Sequence, residues 1–65
     1  MNANEIEPGM ILLGPNGIVR EVVAMVGKTC WYVTHGQLSP DPTPITAHGL
    51  ARWTKRDITE LRAAS

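Results

Sequence analysis

Two strand-like runs joined at Gly27-Lys28 constrain this chain more than any other feature: Ile18 to Val26 before the joint and Thr29 to Thr34 after it. A type II′ turn needs a positive φ at its first central position, which Gly27 supplies, so the pair reads as a β-hairpin. That turn dictates a register. Val26 is expected to face Thr29, Met25 to face Cys30, Ala24 to face Trp31, Val23 to face Tyr32 and Val22 to face Val33. Facing residues share a side of a sheet. One side then shows Val22, Ala24, Val26, Trp31 and Val33; the other shows Val23, Met25, Cys30 and Tyr32. A hairpin with one wet face alternates apolar and polar residues. This one is apolar on both, so it is either covered twice or leaves a sticky surface.

The flanks carry nameable turns. Pro8-Gly9 signals one, and Met10 to Leu13 is a short apolar strand. Gly14-Pro15-Asn16-Gly17 fits a type I turn, with proline second and glycine fourth. Arg20 and Glu21 break the alternation of the long strand, which predicts a bulge or strong twist there. Met1 to Glu7 is polar and reads as a flexible lead-in.

Beyond Thr34, His35-Gly36-Gln37 opens a loop. Pro40, Pro42 and Pro44 then remove ladder donors and exclude a central strand. Ile45 starts a short edge strand. Thr46 is placed to cap a helix whose apolar residues are Leu50, Trp53, Ile58 and Leu61. Gly49 weakens that helix, and Asp57-Ile58-Thr59-Glu60 is a capping-box pattern where it restarts. A short helical turn over 46–53 followed by a separate C-terminal segment fits equally well. Trp53 is expected in the core.

With 65 residues, the chain is expected to hold one small domain over 8–62 with a tail at 63–65, near the lower size limit for folding alone. A small-molecule pocket of ~300–1,000 Å³ would consume much of its core, so no small-molecule substrate is expected. Six basic and six acidic side chains cancel, leaving no global field to draw in nucleic acid or a membrane surface. Cys30 is the single cysteine, which suits a reducing compartment. No apolar run approaches ~18 residues, and the N-terminus lacks a basic-then-apolar leader pattern. These features lead to the expectation of a cytoplasmic protein that does not engage membranes.

Pro8-Gly9, the apolar run after it, Gly14-Pro15-Asn16-Gly17-Ile18-Val19 and the hairpin resemble the opening of small SH3-like barrels. The likeness is to the KOW-type pattern, in which a glycine-containing turn leads into a strand starting with Val or Ile, and it covers residues 8–34. It implies a barrel, and modules of this type bind RNA or protein. The whole layout also resembles very short uncharacterised proteins of bacteriophages and prophages. The shared features are the Pro-Gly start, the Arg20-Glu21-Val22 strand, the hairpin and the closing Arg52-Trp53 pair. That likeness implies an accessory role.

Candidate chemistry is sparse. Cys30, His35 and His48 match no structural zinc spacing, and they read as a packed thiol and two loop histidines. Cys30 with His35 would make a nucleophile–base pair only in an open, electropositive site, whereas Cys30 lies between Thr29 and Trp31 in a strand. The scattered glycines form no phosphate loop. No catalytic residue, metal or cofactor is therefore expected. Arg52, Lys55 and Arg56 share a helical face and, with Arg62, would form a basic stripe for phosphates, although a solvated polar face explains them as well.

Residues and resemblance together lead to a mainly β fold: a small SH3-like barrel of three to five strands with a short C-terminal helical segment. The expected function is non-enzymatic binding of a protein partner, such as a host or defence factor, or self-assembly. Trp31, Tyr32, Met25 and Arg52 would form the contact. The alternative is a nucleic-acid-binding module using Arg52, Lys55, Arg56 and Arg62.

Overall fold

The β-branched runs pair as a meander. A computed structural model describes residues 1–38 and 41–63 and, through residue 61, their side chains. Its strands are β1 (Ile11–Leu13), β2 (Val19–Val26), β3 (Thr29–Thr34), β4 (Thr43–Thr46) and β5 (Arg56–Asp57). Helices α1 (Ala47–Trp53) and α2 (Thr59–Ala63) flank β5. The five strands form one antiparallel sheet in the order β4-β3-β2-β1-β5. The fold is mainly β, as expected, but the sheet is not closed into a barrel: β4 and β5 are its edges.

The turn between β1 and β2 sits one residue later than the sequence suggests. Ile18 N–H donates to Pro15 O at 3.3 Å, which puts Asn16 (φ 62°) and Gly17 (φ 73°) at the two centres. Positive φ at both is the type I′ geometry that Asn-Gly favours in hairpins. Pro15 drew the expectation towards type I. The chain instead uses a turn whose twist matches its strands.

At the β2–β3 turn the expected register holds close to Gly27 (φ 59°), where Val26 pairs with Thr29, Met25 with Cys30 and Ala24 with Trp31. Farther out it slips. Val22 pairs with Tyr32 and Glu21 with Val33, so the bulge falls at Val23 rather than at Arg20-Glu21. The physical reason lies in burial: the extra residue turns Val22 onto the side of Cys30 and Met25, where Val22 is fully buried. An unbulged strand would have put Val22 on the side of Trp31.

One face of the sheet holds the core. Leu12, Val22 and Cys30 are fully buried there together with Leu50 of α1, and Ala47 and Ala51 complete the contact. Residues 1–7, expected as a flexible lead-in, form a 3₁₀ turn over Ala3–Glu5 and place Ile6, 3% exposed, in the same cluster. Thr46 caps α1 as expected, its Oγ1 accepting from Gly49 N–H at 3.0 Å. Thr54 ends α1 by donating both its N–H and its hydroxyl to Leu50 O.

Of the two C-terminal readings, the structure takes the short helix followed by a separate segment. Lys55 N–H donates to Leu13 O and Ile58 N–H to Ile11 O, which seats β5 beside β1. Asp57 then accepts from Thr59 N–H at 2.9 Å and starts α2. Ser39 and Pro40 of the proline-rich loop, and residues 64 and 65 of the expected tail, lie outside the described residues.

Candidate functional site

α1 and the N-terminal turn cover one face of the sheet; on the other, Val19 is buried opposite Leu13, and Trp31 and Val33 are half-buried. Trp31 and Val33 alternate with buried Cys30 along β3 and so point away from α1. Trp31 lies between Ala24 and Pro44, and Val33 lies opposite Glu21. Val26, 69% exposed, continues the patch towards the hairpin tip, and the bulged Val23 is 41% exposed. His35 Nε2 meets Glu21 Oε1 at 3.0 Å at the rim. The edges themselves are poor templates for strand addition: Pro44 lacks an N–H on β4, and β5 is two residues long. What the outer sheet offers a partner is therefore side chains rather than backbone.

On the covered side, a charged residue occupies an unexpected position. Arg20 shares a face with Tyr32 and Leu12, and its guanidinium carbon lies 4.3 Å from the Tyr32 ring centroid and 4.1 Å from a Trp53 ring centroid. Cation–π attraction operates at such distances. Trp53 in turn rests on Gly14, where an added Cβ would overlap the indole ring. Gly14 has φ −112°, a value open to any residue, so it is glycine for space and not for backbone freedom. Arg20 Nε is buried without a protein hydrogen-bond partner, and Arg20 forms no salt bridge among the described residues. Arg20, Gly14 and Trp53 form a cluster that sequence reasoning did not single out. Its signal was present as the break in alternation at Arg20, which reads as a bulge when the aromatic partners are unknown.

The four residues expected at a protein contact are not brought together. Trp31 lies on the outer face, while Tyr32 and Met25 lie on the inner one. Arg52 is exposed on α1, beside a shallow depression that Asn2, Asn4 and His48 also line. Met25 borders an open groove of about 800 Å³ between the N-terminal turn, the hairpin tip and the start of α1, with Ile6, Lys28, Ala47 and His48. The helical basic stripe does not form, because α1 ends at Trp53: Lys55 falls in the connection and Arg56 in β5, near Asp57 and Glu60. The side chain of Arg62 lies outside the described residues.

Nor does the fold join Cys30 to His35. They sit on opposite faces of the sheet, and Cys30 Sγ approaches Ile45 O at 3.4 Å. Burial pushes the Cys30 thiol above its ordinary value, which disfavours the reactive thiolate. His48 is exposed on α1, and among the described residues no three His, Cys, Asp or Glu side chains are grouped to hold a metal ion. No helix of the described residues is long and apolar enough to cross a membrane.

The chain matches no protein-family model, no curated protein and no solved structure.

Proposed function

We propose that this is a non-enzymatic accessory protein that binds another protein through the outer face of its sheet, with Trp31 as the anchor. The observation that carries the reading is the patch of Trp31, Val33, Ala24, Val26 and Pro44, apolar and without a covering helix, on a sheet whose edges resist strand pairing. Aromatic side chains set among smaller apolar neighbours are common energetic centres of interfaces. The action is steric: the face occupies a surface on its partner.

The likeness to short phage and prophage proteins supports a cytoplasmic accessory role, with a host or defence factor as the partner class. A meander whose first strand takes the last as its neighbour supports the likeness to small SH3-like barrels. Nucleic-acid binding would need Arg52, Lys55 and Arg56 to act from three successive segments rather than from one helical stripe.

A photo-cross-linking residue at Val33, compared with one at Glu60, tests the reading in cells. Discrete adducts to one protein from position 33, absent from position 60 and lost on adding Trp31→Ala, are expected. Adducts to nucleic acid, or equal adducts from both positions, would contradict it.

A further inference from the structure

We infer that the Arg20 clamp is a binding site for a carboxylate, separate from the outer face. A guanidinium has two flat faces and a rim of in-plane N–H donors. In this structure the guanidinium carbon lies 4.3 Å from the Tyr32 ring centroid and 4.1 Å from a Trp53 ring centroid, and the Nε–H is buried without a protein acceptor. Arg20 is nonetheless only partly buried, so the terminal Nη donors are the part of the fork left for a ligand.

Three further features make this more than a packing strut. First, the charge has no counter-ion among the described residues: no acidic side chain there pairs with Arg20. An unmatched charge in a half-buried position is costly, and an incoming anion relieves that cost. Second, the side chain is held before any ligand arrives. Trp53 seats on Gly14 so closely that no larger residue fits, and the backbone that carries Tyr32 is set by its ladder pairing with Val22 and Thr43. Immobilising a long side chain in advance removes an ordering cost from binding. Third, the fork suits a flat ligand. A carboxylate can meet it edge-on in the guanidinium plane, the bidentate arrangement arginine favours. A tetrahedral phosphate carries oxygens out of that plane.

The site lies on the inner side of the sheet and Trp31 on the outer, so each proposal stands or falls alone. The test is titration of the ¹⁵N-labelled protein with sodium acetate, N-acetyl-glutamate amide and inorganic phosphate at constant ionic strength. The Arg20 Nε–Hε and Trp53 indole signals are followed. Saturable shifts at both signals are expected with the two carboxylates, at millimolar concentrations on the order of a typical weak site, and at least several-fold weaker with phosphate. Tighter binding of the glutamate derivative assigns the site to an acidic side chain; tighter acetate assigns it to free small carboxylates. Arg20→Lys, which keeps the charge but not the fork, should lose at least most of the affinity, and Trp31→Ala should keep it. Unmoved signals in the folded wild-type protein, or shifts equal for phosphate and acetate, overturn the inference whether or not the Arg20 variant folds.

Discussion

The two faces of the sheet are built from similar residues and have different fates. The inner face buries Leu12, Val22 and Cys30 completely under α1 and Ile6. The outer face carries Trp31, Val33 and Val26 with no helix over them, and Val26 stays 69% exposed. Hydrophobicity alone does not distinguish them. The difference is that α1 packs on the inner face, where Ala47, Leu50 and Ala51 join Leu12, Val22 and Cys30. Apolar residues on the inner face therefore form the buried core, while Trp31, Val33 and Val26 lie outside it.

The sharpest way to break this contrast is at the inner face. Leu12→Ala should cost about 2–5 kcal/mol through lost burial and a residual cavity, comparable with the whole stability of a domain this small. Urea unfolding should find the variant largely unfolded. Gly14→Ala comes next. Its new Cβ would overlap Trp53, and overpacking of this kind costs about 1–3 kcal/mol. The near-UV circular dichroism of the indole should change with it, because Trp53 must leave Arg20.

The smallest effect is a pH dependence. Burial raises the Cys30 thiol in the folded state above its ordinary 9.0, so the unfolded chain releases this proton first. The stability it contributes is complete below about pH 9.0 and is lost as pH rises through the folded value. Denaturation curves from pH 8 to pH 10.5 should show an alkaline decline in the wild type that is shallower in Cys30→Ala. Equal slopes would mean that Cys30 is not buried as described.

How much of this was legible depended on sequence distance. The turn at Gly27-Lys28 and the three pairs next to it follow from local chemistry, as does the Thr46 cap, and all are found. The edge position of β4 follows from Pro44 within it and Pro42 just before it. The bulge at Val23 was not legible, because Val22 and Val23 are identical side chains and only the position of α1 decides which one is buried. Ile6 is a lone apolar residue among polar ones and shows no periodicity. The Arg20 clamp depends on a tryptophan far along the chain, so the arginine looked like a defect in the strand. The Asn16-Gly17 turn was in plain view and was obscured by the neighbouring proline.

The claim that the core lies on one face while Trp31 lies outside it is tested most directly by urea unfolding of Trp31→Ala beside Leu12→Ala. Trp31→Ala is predicted to lose clearly less than Leu12→Ala, since Trp31 is half-buried and lies outside the buried cluster around Leu12. The unchanged denaturant slope expected with it would show an intact fold. If Trp31→Ala instead destabilises the protein as much as Leu12→Ala does, the outer face belongs to the core and has nothing to spare for a partner.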